Sequence, residues 1–349
     1  MNDMPDYFAG PTPAPGEVRE VAPGLWWLRM PLPMALDHIN LWIHEDGGEY
    51  GDGVAIIDTG IRSNKSKEIW QQALEKVAPG KPVTRVIVTH FHPDHVGHAK
   101  WLTETHGVPL MMPRTEWLYA RMLSLDTGPG HMDGFVRLFE AAGCPSLVIK
   151  GLQSAGPVFP RLVDTPPGGI IRISGGDKLT IGARTWRVVT GRGHSPEHAC
   201  LLSETDGIFI SGDMVLPRIS PHIGVYPDEP EADPLDDYLT SLETLKAVPG
   251  DVRVLPSHND PFTGLHGRLA SLRAHHEERL DRLMNHCAEP ATAWSLSQAL
   301  FDRKMTPEAV FFAIPETLAH LNLLRRRRMI QRHTVEHPDM PGVWHYARC

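Results

Sequence analysis

Seven consecutive residues, Thr89-His90-Phe91-His92-Pro93-Asp94-His95, place three imidazoles and one carboxylate within a single short segment of this chain. The segment follows Val86-Ile87-Val88, a run typical of a buried strand, and the proline after His92 prevents regular strand pairing beyond it. Because alternate residues of an extended segment point the same way, the first two histidines can reach one ion, and the aspartate and last histidine a second. The alternative is a solvated histidine-rich loop. Further candidate metal ligands later in the chain argue against that alternative.

Three later runs of β-branched or aromatic residues supply those partners. Each run is followed by a small residue and then by a side chain that can bind a metal: Gly193-His194, Gly212-Asp213 and Ser257-His258. Small residues allow the backbone to turn tightly close to an ion. A fourth run ends at Asp58, which either caps the turn before Gly60 or accepts hydrogen bonds from ligand histidines. Because the other three runs lead to candidate ligands, we favour hydrogen bonding to the ligand histidines as the role of Asp58.

Taken in order, these residues resemble the metal-binding motifs of the metallo-β-lactamase superfamily, over roughly residues 20 to 265. The resemblance implies an α/β fold, an αβ/βα sandwich with a dinuclear site at the edge between its two sheets. It assigns His90, His92 and His194 to the first metal, Asp94, His95 and His258 to the second, Asp213 to the bridge, and Asp58 to the first motif. β-Lactamases of the superfamily usually carry Cys where this chain has Asp213. The pattern is therefore closer to hydroxyacylglutathione hydrolases, lactonases and nucleases.

The donor set indicates the metal and the reaction. Imidazoles and carboxylates suit borderline cations, so we expect two Zn²⁺ per chain, with Fe or Mn as alternatives. Water bridging two such ions reaches a pKa of roughly 7, which supplies hydroxide at neutral pH. We predict a hydrolase that attacks a small ester, thioester or lactone with a metal-bridging hydroxide, and that has Asp94 and Asp58 among its catalytic residues.

Two other activities use the same motifs. A phosphodiesterase or nuclease would direct the same hydroxide at phosphorus, and the run Arg325-Arg326-Arg327-Arg328 is the feature that favours it. An iron-loaded, persulfide-dioxygenase-like oxidoreductase would be distinguished by its metal content and oxygen uptake. A non-catalytic DNA-binding protein has no use for seven ordered ligands.

The net charge of −8 is unevenly distributed. Residues 264–349 carry a formal +3 and the preceding residues −11. An acidic body disfavours a polyanionic substrate, so we expect a small-molecule substrate and no nucleic-acid partner. The arginine run then indicates a solvated helix terminus, which could also pair with the acidic body of a second copy in a homodimer.

The sequence also suggests a location. No apolar run is long enough to span a membrane, and the first residues lack a signal-peptide pattern. The four cysteines are scattered, which fits a reducing compartment. We therefore predict a cytoplasmic protein without a membrane partner, in which Cys200 is a buried thiol rather than a ligand.

Three segments follow from the order of the patterns. Residues 1–20 are rich in proline and predict an extended arm. Residues 21–263 predict the metal-binding sandwich. Residues 264–349 predict a mostly helical, winged-helix-like domain, with helices over 265–284, 293–300 and 306–325 and a hairpin over 329–346.

Two regions are candidates for shaping the substrate pocket. Residues 114–142 predict two helices separated by Gly128-Pro129-Gly130, either as part of the core or as a lid. Residues 214–226 predict an irregular loop, in which Arg218 could hold a carboxylate, and His222 or Tyr226 could donate to a developing oxyanion.

Four further polar residues lie close in sequence to predicted ligands. We expect them to pack around the ligands rather than to bind metal: His98, Ser195, Glu197 and His198.

Overall fold

A computed structural model of the chain describes residues 6–7, 10–34, 36–128, 130–301, 306–336 and 342–349. The strands in this part of the chain are β1 (Asp6–Tyr7), β2 (Val18–Ala22), β3 (Leu25–Pro31), β4 (His38–Asp46), β5 (Gly53–Ile57), β6 (Val83–Ile87), β7 (Leu110–Met112), β8 (Ile171–Arg172), β9 (Lys178–Ile181), β10 (Arg184–Gly191), β11 (His198–Ser203), β12 (Ile208–Gly212), β13 (Arg253–Pro256), β14 (Phe262–Thr263), β15 (Ala291–Thr292), β16 (Ile330–Val335) and β17 (Val343–Arg348). The helices are α1 (Asn64–Val77), α2 (Pro93–Val96), α3 (Ala99–His106), α4 (Arg114–Leu125), α5 (Asp133–Ala141), α6 (Ser146–Ala155), α7 (Phe159–Leu162), α8 (Pro234–Leu245), α9 (Leu265–His286), α10 (Ala293–Leu300) and α11 (Pro307–Arg326), with a 3-10 turn at Gly48–Tyr50.

The chain divides into two compact units, each assembled from segments that are distant in sequence. The first unit comprises residues 1–126, 158–221 and 245–269, and the second comprises 127–157, 222–244 and 270–349. The sequence predicted boundaries after residues 20 and 263, and these linear boundaries stay a prediction. The second unit also takes in two earlier segments, whose membership depends on tertiary contacts.

The first unit contains two seven-stranded sheets. One has the order β1-β14-β13-β12-β11-β10-β9, and the other β2-β3-β4-β5-β6-β7-β8. Strands β12 and β13 are parallel in the first sheet, and β5 to β8 are parallel in the second. The strands predicted before each ligand candidate are present as β5, β6, β10, β12 and β13. The α/β sandwich implied by the sequence is confirmed.

Alternating side chains of the second sheet explain how it is buried on both faces. Trp42 and Ile87 join a core cluster that also contains Trp186 of the first sheet, so this face packs sheet against sheet. Their neighbours in sequence, such as Val86, join a second cluster with Trp70 of α1. Successive strand residues point to opposite faces, and the apolar runs therefore fill two separate cores.

The second unit is mostly helical. Helices α10 and α11 match the predicted helices closely, and Thr306 caps α11 by accepting the backbone N–H of Ala309 at 3.2 Å. Strands β15, β17 and β16 form a three-stranded antiparallel sheet, in which β16 and β17 are the predicted hairpin pair. The middle of the predicted hairpin, residues 337–341, lies outside the described residues. The winged-helix likeness stays a prediction.

The predicted pair of helices at 114–142 is present as α4 and α5. Helix α4 belongs to the first unit and α5 to the second. Pro129, in the predicted break, lies outside the described residues. Within the described ranges, no helix is both long enough and apolar enough to cross a membrane.

Candidate metal centre

The candidate ligands follow the carboxyl ends of two pairs of parallel strands, one pair in each sheet. In one sheet Asp58 follows β5, and the loop that begins at Thr89 follows β6. In the other sheet Asp213 follows β12 and His258 follows β13, with His194 beyond the end of β10. Because parallel neighbours end at the same sheet edge, these residues start close together.

Three imidazole nitrogens converge in the first group. The Nε2 atom of His90 lies 2.9 Å from Nδ1 of His92 and 3.2 Å from Nε2 of His194, and the latter two atoms are 3.0 Å apart. Ligand nitrogens about 2.0 to 2.1 Å from a tetrahedral Zn²⁺ are separated by about 3.3 Å, close to these spacings.

The second group contains Asp94, His95 and His258, and Asp213 lies between the two groups. An Asp94 oxygen is 3.4 Å from Nε2 of His258 and 3.9 Å from Nε2 of His95. The Oδ1 atom of Asp213 is 3.5 Å from Nε2 of both His95 and His258, whereas its Oδ2 atom is 3.4 Å from Nε2 of His194. The two oxygens of one carboxylate therefore face different groups.

Hydrogen bonds on the far side of the rings fix their orientation. Nδ1 of His95 lies 2.8 Å from the carboxylate of Asp58, which also accepts the backbone N–H of Thr89 at 2.8 Å. Nδ1 of His258 lies 2.8 Å from the backbone carbonyl of His38. Each partner accepts a proton on Nδ1, so the lone pair of Nε2 faces the cluster. The role predicted for Asp58 corresponds to this contact.

The arrangement fits bound cations better than it fits an all-protein cluster. Nε2 of His95 and Oδ1 of Asp213 are buried and make no hydrogen bond in the described part of the chain. Buried polar atoms are normally paired, because losing water without a substitute costs free energy. A divalent cation is the partner that would satisfy both an imidazole lone pair and a carboxylate oxygen.

The charge states also suit metal ligation. Burial, and next the charge of His95, lower the pKa of His90 well below its ordinary value, so its ring is neutral. Burial raises the pKa of Asp94, but His95 and His258 outweigh it and lower that pKa to about 2. Burial lowers the pKa of His258, but the carboxylate of Asp213 outweighs it and raises that pKa to about 10. The carboxylates are thus ionised, and they favour protonation of the facing rings when no metal is bound; a bound cation would displace those protons and use the Nε2 lone pairs instead.

His198 supports the centre as predicted. Its Nε2 atom accepts the backbone N–H of Asp213 at 3.1 Å, and its ring stacks on His90 with centroids 4.6 Å apart. Gly212 has φ 53°, and a Cβ there would lie 2.3 Å from the His198 ring, so only glycine fits. Cys200 is buried, and burial raises the pKa of its thiol, which agrees with an inert thiol.

The remaining residues expected near the ligands divide into two sets. His98 accepts the backbone N–H of Ser63 at 3.2 Å, and its Nε2 atom lies 2.8 Å from the Ser66 hydroxyl at the start of α1, so His98 stabilises a helix rather than a ligand. The Ser195 hydroxyl donates to Glu116 at 2.8 Å, and the backbone N–H of Glu197 donates to the same carboxylate at 2.5 Å. Sequence reasoning did not identify Glu116, although the spacing of Glu116 from buried Ala120 would have placed it on the inner face of α4.

Asn40 is a second residue that sequence reasoning missed. Its side chain accepts the indole N–H of Trp27 at 2.7 Å and donates to the carbonyls of Pro256 at 2.8 Å and Asn259 at 2.6 Å. These contacts tie β4 to both sides of His258. A polar residue within the apolar run of β4 is the signal that could have revealed it.

The residues predicted to contact substrate lie in different units. Arg218 belongs to the first unit, where it is 3.7 Å from Asp260 and lines a cavity of about 360 Å³. His222 and Tyr226 belong to the second unit, where Nε2 of His222 lies 2.9 Å from the Tyr226 hydroxyl and Nδ1 lies 3.8 Å from Glu316. Burial raises the pKa of Tyr226. Their contact with substrate stays a prediction.

The arginine run is paired with acidic residues of the second unit. The closest ion pairs are Arg325 with Glu231 at 3.0 Å, Arg326 with Asp233 at 3.4 Å and Arg327 with Glu277 at 3.3 Å. The arginines therefore carry structural contacts at the end of α11, in agreement with the interpretation as a helix terminus.

Comparisons with known proteins agree with this geometry. The profile of the metallo-beta-lactamase superfamily matches residues 48–258, and that of the metallo-beta-lactamase-like C-terminal domain matches residues 280–349. Among solved structures, a beta-lactamase domain protein from Burkholderia ambifaria is 43% identical, with a TM-score of 0.90 over 99% of this chain and 98% of that one.

Two more distant relatives extend the comparison. A metallo-beta-lactamase family protein from Thermus thermophilus is 28% identical, with a TM-score of 0.78 over 95% of this chain and 100% of that one. A hydroxyacylglutathione hydrolase from Idiomarina loihiensis is 25% identical over 64% of this chain and 62% of its own length. Since the superfamily profile covers more than half of the sequence, including every ligand candidate, the chain belongs to the metallo-beta-lactamase superfamily, a family of metal-dependent hydrolases.

Proposed function

We propose that this protein is a dinuclear zinc-dependent hydrolase of small esters, thioesters or lactones. The observation that carries the proposal is the position of Asp213, whose two oxygens face separate groups of imidazoles at 3.4 and 3.5 Å. A carboxylate shared in this way would offset the repulsion between two cations about 3.5 to 4 Å apart. The hydroxyacylglutathione hydrolase relative is a thioesterase by name, which supports a carbonyl substrate.

The proposed ligands divide as the sequence indicated. His90, His92 and His194 would hold the first cation, Asp94, His95 and His258 the second, and Asp213 both. Two Zn²⁺ bound there would act as Lewis acids and lower the pKa of water to about 7. Fe or Mn remains compatible with the same donors.

The chain's own residues would orient the reaction. Asp58 holds the proton of His95 on Nδ1, and the carbonyl of His38 does the same for His258, so both rings keep their lone pairs on the side of the cluster. Asp94, which was predicted to be catalytic as well as a ligand, has its carboxylate 3.4 Å from Nε2 of His258 at the second group, where it would contact the attacking water or its proton. Removing either orienting partner should weaken the centre without removing a ligand.

Two observations favour a small neutral or modestly charged substrate over a nucleic acid. The whole chain carries a formal net charge of −8, which opposes a polyanion. The arginines that would contact phosphates are engaged in ion pairs with acidic residues. The pairs of Arg325, Arg326 and Arg327 therefore reduce the positive charge that the run could offer to phosphates.

The test is an activity panel with the metal content measured on the same preparation. Purified protein is assayed against p-nitrophenyl esters, lactones, thioesters and bis(p-nitrophenyl) phosphate after loading with Zn²⁺, Mn²⁺ or Fe²⁺. We expect close to two metal ions per chain and the highest kcat/KM on a carbonyl substrate with Zn²⁺. Preference for the phosphodiester would replace the proposal with phosphodiesterase activity, and oxygen uptake with Fe²⁺ and a persulfide would replace it with oxygenase activity.

A further inference from the structure

Glu116 is a buried carboxylate beneath the two loops that supply the first group of imidazoles. It lies in the first turn of α4 on the face shared with Ala120 and Ser124, and its side chain is fully buried. No Lys or Arg of the described ranges forms an ion pair with it. Burial raises the pKa of Glu116 to about 7, and the three hydrogen bonds that it accepts oppose that rise, so the ionised form prevails above pH 7.

Both oxygens of Glu116 are used, and each contacts a different loop. Oε2 accepts the backbone N–H of Phe91 at 3.0 Å. Oε1 accepts the Ser195 hydroxyl at 2.8 Å and the backbone N–H of Glu197 at 2.5 Å. Phe91 lies between His90 and His92 in the chain, and Ser195 follows His194. One side chain thus joins loops that are about a hundred residues apart in sequence.

The three bonds all point toward the carboxylate, which restricts the side chain that can serve here. An ionised carboxylate offers acceptors on both oxygens, whereas an amide offers one acceptor and two donors. Glutamine would therefore satisfy either the Phe91 side or the Ser195 side, and would present an N–H group to the other loop. The position needs a carboxylate and not merely a polar side chain of the same size.

We propose that Glu116 is a positioning residue of the metal centre, which sets the spacing between the His90–His92 loop and the His194 loop. The inference rests on the proposed function only in taking the first group as a metal site, and it holds whatever the substrate is. The ligand nitrogens of His90, His92 and His194 must lie about 3.3 Å from one another around a cation. If the contacts that hold their two loops together are weakened, the affinity of this group for the cation should fall. Helix α4 then acts as a support for the ligands rather than as a lid.

The test compares Glu116→Gln with a matched control, Asp46→Asn. Asp46 is also a buried carboxylate of the first unit, but it pairs with Arg85 at 2.7 Å, on a different element from the ligand loops. Both changes replace one oxygen by an N–H₂ group. For each full-length variant we would measure Zn²⁺ affinity by competition with a chelator, the visible absorption of the Co²⁺-loaded protein, and the thermal midpoint without metal.

We expect Glu116→Gln to lower the affinity for the first Zn²⁺ by about 10- to 100-fold and to change the Co²⁺ spectrum. Asp46→Asn should lower the thermal midpoint and leave both metal readouts unchanged. Wild-type affinity and spectrum in Glu116→Gln would overturn the proposal, as would an equal loss of affinity in Asp46→Asn.

A milder variant covers the case in which Glu116→Gln does not fold. Ser195→Ala removes one donor and keeps the carboxylate, and it should lower the first affinity severalfold while the second stays near that of the wild type. An unchanged first affinity would overturn the proposal. Activity is not among these readouts, so a protein that binds two Zn²⁺ but hydrolyses no carbonyl substrate would contradict the proposed function and leave this inference standing.

Discussion

Replacing Asp58 by asparagine should weaken one of the two cation sites selectively, because the change alters the tautomer of His95. One oxygen of Asp58 accepts the backbone N–H of Thr89 at 2.8 Å, and the other lies 2.8 Å from Nδ1 of His95. In Asp58→Asn the remaining oxygen must stay with the Thr89 N–H, since two donors cannot face each other. The new N–H₂ group then meets Nδ1 of His95.

An N–H donor at that position favours the tautomer whose proton is on Nε2. That proton would occupy the lone pair with which His95 faces Asp213 and Asp94. To bind metal, His95 must return to the tautomer with its proton on Nδ1, which breaks the new hydrogen bond and places two N–H groups opposite each other. The wild-type bond from Nδ1 to the ionised Asp58, which the substitution removes, is of a kind worth about 1.5 to 3 kcal/mol, and about 1.4 kcal/mol corresponds to a tenfold change in affinity. We therefore expect the second Zn²⁺ to bind about 10- to 100-fold more weakly.

The assay is a two-step Zn²⁺ titration against a competing chelator at neutral pH, with Asp46→Asn as the control for a buried carboxylate-to-amide change. The first binding step should stay within about threefold of the wild type, since Asp58 does not contact the first group of ligands. A second step of unchanged affinity would refute the tautomer argument. Equal weakening of both steps would show that Asp58 stabilises the whole edge of the sheet.

Four further outcomes follow from the same contacts. Asp213→Ala should lose at least one metal ion and nearly all activity, as measured by metal analysis and by kcat, because it removes the shared ligand. Changing Arg325–Arg328 to Gln should leave kcat/KM on the best small ester within a few fold. Oligonucleotide binding across a salt series should be the same for the variant and the wild type. Each lost ion pair should cost about 0.2 to 1 kcal/mol of unfolding free energy. Burial lowers the pKa of His276 to about 2 and that of His320 to about 4, so the folded state loses stability as pH falls below about 6.5, where the unfolded rings take up protons. In melts between pH 7.5 and 5.5, His276→Phe should flatten that loss. If Tyr226 contacts substrate, Tyr226→Phe should lower kcat about tenfold at unchanged metal content, and a wild-type rate would exclude the contact.

Much of the first unit could be predicted because its signals are local. Runs of β-branched or aromatic residues identified the strands before His194, Asp213 and His258, where a small residue precedes the ligand, and the strand that ends before Asp58, and all are present. Thr306 was correctly placed at the start of α11. Such patterns reflect backbone propensity and side-chain chemistry, which act over a few residues.

Long-range contacts explain most of what the sequence did not reveal. The second unit takes in residues 127–157 and 222–244, whose membership depends on contacts with residues distant in sequence. Arg325 pairs with Glu231, about ninety residues earlier, so part of an arginine run that resembles a nucleic-acid site is paired with an acidic residue far from it in sequence. Charge counted along a chain does not show which charges are paired.

The residues missed at the metal centre share a physical property, which is that they act on the ligands from the side away from the cluster. His38 contributes a backbone carbonyl, which has no side-chain signature. Glu116 lies in the first turn of a helix, where an acidic residue is equally well explained by the helix dipole. A metal demands particular side chains, so its ligands can be recognised by type and spacing. The tautomer and spacing of those ligands depend also on Asp58, whose role the sequence indicated, and on His38 and Glu116, whose roles become visible only when distant segments meet. A chain could therefore keep all seven ligand residues, and the family signature with them, and still lose its affinity for metal through a change at Asp58 or Glu116.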